Sequence, residues 1–127
     1  MKVGFEQLRI WQEAHRLMLE VHRLAARFPP YERFKLRDQV ERSSASVADN
    51  IAEGYSSYYY NDKIKGMYTA RKEAGETQNH IRSATSKKYI DLKESDQFVG
   101  DYEHLIRSIN SYVKYLCSKR DAVRCPR

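Results

Sequence analysis

Between Phe5 and Phe28 the apolar side chains recur every three or four residues, at Leu8, Trp11, Ala14, Leu17, Met18, Val21, Leu24, Ala25 and Phe28, and no glycine or proline interrupts them. That period is one face of an α-helix and does not fit a strand, whose faces alternate every second residue. Ile10, Leu17 and Leu24 add a seven-residue line beside the first seam, so the apolar stripe is wide enough to meet more than one neighbour. Pro29-Pro30 then removes two backbone donors and forces the chain out of helical geometry.

Three further segments carry the same period. A second helix is predicted from Tyr31 or Glu32, turning Leu36, Val40, Val47 and Ile51 inward among Ser43, Ser44, Ala45, Ala48 and Ala52, with Gly54 as its stop. Ser56 to Asp62 reads as a loop, and Asn61 or Asp62 as the N-cap of a third helix running to about Lys87. The third helix has the weakest apolar stripe, from Ile64, Met67, Tyr68, Ala74, Ile81 and Ala84, and is expected to be the most exposed. Asp91 with Glu94, or Ser95, caps a fourth helix that turns Phe98, Tyr102, Leu105, Ile109, Tyr112 and Leu116 inward, with Val99, Ile106 and Val113 as a second line. Four helices on short connections predict an all-α, antiparallel up-down-up-down bundle over residues 1–119. Residues 120–127 lack a core pattern and read as a basic, disordered C-terminal tail.

The chain of 127 residues carries a formal charge of +6, which suits a polyanionic partner such as RNA, DNA or an acidic protein surface, and equally a merely soluble basic domain, since cations and carboxylates are interleaved along every helix. Two cysteines, Cys117 and Cys125, are too few for a disulfide framework and fit reduced thiols. The N-terminus has no apolar stretch of signal-peptide length and no later run approaches a membrane span, so a cytoplasmic protein without a membrane partner is expected.

Chemistry is sparse. A two-metal bundle site takes two Glu-x-x-His pairs and two further Glu residues, whereas the nearest fragment here is Asp101 with His104. His15 and His22 lie seven residues apart without a ligand motif, no serine sits in a nucleophile elbow, and the five glycines are scattered singly, so no phosphate loop can form. No catalytic residue, metal or cofactor is expected.

The cations are more informative. Arg9, Arg16 and Arg23 recur every seven residues with Arg27 one turn on, a stripe able to track phosphates, and Lys63 and Lys65 add charge beside Tyr55, Tyr58, Tyr59 and Tyr60. Two readings fit: a nucleic-acid surface with stacking rings, or arginines paired to Glu6, Glu13 and Glu20 and tyrosines packed against a helix end or another subunit.

Gln39, Arg42 and Ser46, followed by Asn50-Ile51-Ala52-Glu53-Gly54, resemble the hallmark segment of the four-helix bundle family encoded by 23S rRNA intervening sequences. Leu8, Trp11, Ala14 and Leu17, then Phe28-Pro29 with Glu32 and Leu36, and later Glu76, extend the resemblance from about Phe5 to Leu116. Where many members have Gly-Ser before the third-helix glutamate, this chain has Lys72-Glu73, with Gly75 beside Glu76. The resemblance implies a homo-oligomer, commonly a ring-like pentamer, with no established enzymatic activity. Related bundles serve diversity-generating retroelements, where a basic pentamer binds nucleic acid and a reverse transcriptase, so a protein partner is a second expectation. Arg42, Asn50, Glu53 and Glu76 sit near apolar seams, and charge there must be paired, so a structural polar network is predicted among them.

Overall fold

The computed structural model describes residues 1–124, and among them the regular structure is helical, with four α-helices and no strand. A 3-10 turn at Gly4–Gln7 leads into α1 (Arg9–Ala25), and a second at Pro30–Glu32 precedes α2 (Leu36–Ser56). Then come α3 (Tyr60–Ser86) and α4 (Leu92–Arg124). Asp91 caps α4 as the sequence predicts, its Oδ1 accepting the Glu94 amide at 2.8 Å.

The boundaries differ from expectation in several places. The first helix runs only from Arg9 to Ala25, inside the expected Phe5–Phe28, and α3 opens at Tyr60 with Tyr59, and not Asn61 or Asp62, at its N-cap. The second helix starts at Leu36, not Tyr31 or Glu32, because Lys35 (φ −122°, ψ −111°) breaks the run between the 3-10 turn and α2. Gly54 does not stop α2: it is buried inside it, and the loop to α3 shrinks to Ser57, Tyr58 and Tyr59. At the other end α4 continues past Lys119, where the tail is expected to begin, since no glycine or proline interrupts Ser118 to Arg124. Cys125 and the remainder of the expected tail, residues 125–127, lie outside the described residues.

One apolar core joins all four helices, with Ala14, Leu17 and Val21 of α1, Val47 and Ile51 of α2, Met67, Ala74 and Ile81 of α3, and Tyr102, Leu105 and Ile109 of α4 all but sealed from solvent. The wide α1 stripe is used as its spacing predicts, with Ile10, Leu17 and Leu24 all buried. On α3 the seam differs from expectation: Ala70 and Thr77 are buried, while Tyr68 stays 44% exposed. Each helix packs against its sequence neighbours, and α1 also meets α4.

The α2 and α3 backbones approach most closely. Ser43 Oγ and Thr77 Oγ1 lie 2.8 Å apart in the buried seam, and near the other end of the pair Gly54 faces Gly66. A Cβ on Gly66 would lie 2.8 Å from the Gly54 Cα and 3.0 Å from the Asn50 carbonyl oxygen, so only glycine permits this spacing. By contrast a Cβ on Gly75 or Gly100 would meet nothing within 4 Å. Both are therefore helical glycines without a packing role inside the chain, and replacing either with alanine should raise stability by about 0.5–1 kcal/mol in chemical denaturation. Unchanged or lower stability would refute the absence of a packing role at that glycine.

The bundle end holding the α1–α2 and α3–α4 connections is tied by one carboxylate. Glu32 is 1% exposed, and its Oε2 accepts Lys87 Nζ at 2.8 Å and the Tyr89 hydroxyl at 2.6 Å. The Leu36 amide adds a long bond to Oε1, and Tyr31 extends the cluster through its hydroxyl, 3.0 Å from that of Tyr89. Lys87 and Tyr89 hold the Glu32 carboxyl down at about 2 against the opposing pull of burial, and the same contact pushes the Tyr89 phenol up. Lys88, between them, takes the left-handed conformation (φ 65°) that lets the chain reverse.

Candidate nucleic-acid interface

The arginine stripe of α1 divides into paired and unpaired members. Arg16 is clamped by Glu13 and Glu20 on its own helix, and the Glu13 hydrogen bond is the main cause of its raised pKa. Arg27 reaches across to α4 and donates to both Glu94 oxygens, at 2.8 and 3.0 Å, which raises its pKa likewise. Arg9 and Arg23 are exposed and make no ion pair among the described residues. Arg9 and Arg16 also edge an open groove between α1 and α4, whose floor is Ile10 and Leu105 and whose far wall carries His104.

At the opposite end from Glu32, Lys63 Nζ donates to the Tyr55 carbonyl at 2.7 Å and lies 5.6 Å from the centre of its ring. Lys65 is exposed without a carboxylate partner among the described residues. Tyr58 and Tyr59, 87% and 67% exposed, meet edge to face at 5.0 Å.

The C-terminal part of α4 brings in residues outside the sequence-predicted site. Tyr112 and Tyr115 stack at 5.8 Å, Lys119 lies 5.6 Å from the Tyr115 ring centre, and Arg120 donates to Asn61 at the start of α3. Their spacing, 112, 115 and 119, is a usable helical signal within the fourth helix, whereas Arg120 lies in the segment expected to be a tail. Burial first, then the neighbouring Tyr115, Tyr55 and Tyr60 hydroxyls, push the Tyr112 phenol up, so four tyrosines from three helices gather here. Nearby, the Arg71 guanidinium sits 5.0 Å from the Tyr68 ring centre and donates to Asn110.

The four hallmark polar residues are not joined to one another among the described residues. Arg42 has an 80% exposed side chain and pairs with Asp38 one turn back at 3.2 Å. Asn50 donates to the Ser46 carbonyl and hydroxyl, while Glu53 and Glu76 are not tied to it. No hydrogen bond among the described residues connects Arg42 to either glutamate. Glu76 instead acts along α3: burial and then Glu76 push the Glu73 carboxyl up, and burial pulls His80 down against Glu76.

His104 is exposed on α4, His15 stacks on Trp11 at 4.7 Å, and His22 contacts the Glu41 carbonyl. Among the described residues no three His, Cys, Asp or Glu side chains converge as a metal donor set, and no helix is long and apolar enough to cross a membrane.

The fold has a solved counterpart. A crystal structure at 1.70 Å resolution of a protein with unknown function from the S23 ribosomal protein family of Bacteroides thetaiotaomicron VPI-5482 aligns with a TM-score of 0.77. The alignment has 21% sequence identity and covers 83% of this chain and 95% of that one, a likeness of fold. No curated protein matches the sequence. The family model of the 23S rRNA-intervening sequence proteins matches residues 6–111, covering α1, α2, α3 and most of α4, and the chain therefore belongs to the 23S rRNA-intervening sequence protein family.

Proposed function

We propose that the chain is a non-catalytic, cytoplasmic, up-down-up-down four-helix bundle that assembles as a homo-oligomer, a pentamer as the resemblance implies, and binds RNA or another polyanion. The observation that carries the binding is the incomplete cancellation of charge. Arg9 and Arg23 on α1, with Lys65 at the head of α3, remain exposed and unmatched by any carboxylate among the described residues. Arg16 and Arg27, already paired with Glu13, Glu20 and Glu94, contribute less net charge to that field. Lys63 contributes field beside Tyr55.

Neutralising a phosphate releases counterions, so affinity falls steeply with salt, with a logarithmic slope of about one for each phosphate neutralised. The double variant Arg9→Gln/Arg23→Gln should therefore bind structured RNA more weakly, with the salt slope smaller by roughly two per subunit engaged, while its melting temperature is unchanged. Arg16→Gln/Arg27→Gln should do the reverse, lowering the melting temperature and leaving the slope nearly intact. Equal slopes for both variants would remove α1 from the binding surface.

A second reading has its own observation. Tyr31 and Phe34, 67% and 83% exposed at the Glu32 end, and Leu19, 44% exposed on α1, offer apolar surface to a protein partner. A scaffold recruiting a protein, such as a retroelement reverse transcriptase, uses those residues rather than the cations, and its complex withstands salt.

A further inference from the structure

The bundle end opposite Glu32 brings rings and cations together from three helices. Tyr55 ends α2, Tyr58 and Tyr59 fill the connection, Tyr60 and Lys63 open α3, and Tyr112, Tyr115 and Lys119 lie on the last turns of α4. Lys63 and Lys119 each sit 5.6 Å from a tyrosine ring centre, and Asn61 to Arg120 at 3.2 Å ties α3 to α4 beside them. Tyr58 (87%), Tyr59 (67%) and Tyr115 (52%) leave their rings largely open to solvent. Lys63, Lys65, Lys119 and Arg120 supply cations at this end beside the carboxylates Glu53, Asp62 and Asp121, of which Asp121 already accepts from Arg120 at 3.1 Å.

We propose that this end binds single-stranded RNA by stacking unpaired bases on Tyr58, Tyr59 and Tyr115 while Lys65 and Lys119 face the phosphates. The proposal rests on the polyanion reading and adds to it the form of the nucleic acid. A charged groove alone does not distinguish strand from duplex. An exposed ring does, because a duplex keeps the faces of its bases stacked inside, whereas an unpaired base can lay its face on a tyrosine. The edge-to-face setting of Tyr58 and Tyr59 leaves two ring faces pointing in different directions, which suits a splayed strand better than a regular helix.

The test uses the full chain and a short unstructured oligoribonucleotide, compared in a salt series with an abasic strand of the same length and with the matching RNA duplex. The variant Tyr58→Ala/Tyr59→Ala/Tyr115→Ala removes three exposed rings, and Tyr58→Phe/Tyr59→Phe/Tyr115→Phe keeps their faces. We expect the base-bearing strand to bind at least about tenfold tighter than the abasic strand or the duplex, an advantage the alanine variant loses and the phenylalanine variant retains. Equal binding of all three probes with a steep salt slope overturns the stacking proposal and leaves the polyanion reading standing. So does an alanine variant that keeps the full advantage. Failure of every probe to bind overturns both.

Discussion

Glu32→Gln should lower the melting temperature at neutral pH by on the order of 10 °C, although its side chain touches neither the α1 arginines nor the tyrosine end. Glutamine keeps the shape but removes the charge that faces Lys87 Nζ at 2.8 Å, and it leaves that ammonium opposite a neutral amide in a site where the carboxylate is 1% exposed. The effect has a defined pH window. The folded carboxyl is held at about 2, below its ordinary 4.5, so the unfolded chain takes up the proton first as pH falls. Glu32 therefore contributes its full stabilisation above about 4.5 and loses it progressively as pH drops toward about 2. Melting curves of wild type and variant should stay a constant distance apart from neutral pH to about 5 and converge below that. A gap that stays constant to about pH 2, or no gap at neutral pH, would show that the Lys87 and Tyr89 bonds do not hold the two connections together.

Gly66→Ala is the second large effect and acts at the opposite end. Alanine in a helix interior ordinarily gains about 1 kcal/mol over glycine. Here its Cβ would meet the Gly54 Cα at 2.8 Å and the Asn50 carbonyl at 3.0 Å, both backbone atoms of another helix that cannot swing aside. Relief requires α2 and α3 to part, which also stretches the Ser43 to Thr77 hydrogen bond in the same seam. We expect a net loss of roughly 2–3 kcal/mol in urea unfolding. Gly54→Ala should cost less, since one of its two neighbours at 3.1 Å is the flexible Met67 Cε. Should Gly66→Ala match or exceed wild type, the close helix approach would be refuted.

The contrast between these glycines and Gly75 explains what is legible in the sequence. Apolar spacing locates all four helices, because burying a stripe is a local property that each segment carries alone. Asp91 marks the start of α4 correctly, since a capping carboxylate acts within a turn, whereas α1 already ends at Ala25, short of Pro29-Pro30. Gly54 reads as a stop because glycine serves two needs, a left-handed turn or a close approach, and only the position of Gly66 on another helix decides between them. Glu32 is legible as part of the first turn, but its partners Lys87 and Tyr89 lie more than fifty residues away and no local pattern announces them. Within the candidate site, the α1 arginines stand out by their heptad spacing. Their division into paired and exposed members depends on Glu94, which α4 supplies from across the bundle. Arg42 lies near a seam by periodicity, yet its long side chain leaves the seam and is 80% exposed.

The order in which the helices touch carries a kinetic consequence. Three of the four helix pairings join neighbours in sequence, and the α2–α3 pair needs only Ser57, Tyr58 and Tyr59 to turn. Such pairings close short loops at small entropic cost, whereas α1 meeting α4 and Glu32 meeting Lys87 must bring distant parts of the chain together. The α2–α3 pairing is thus expected to form early and the docking of α1 against α4 late, so conservative truncations in the α2–α3 seam should slow folding while those between α1 and α4 mainly speed unfolding.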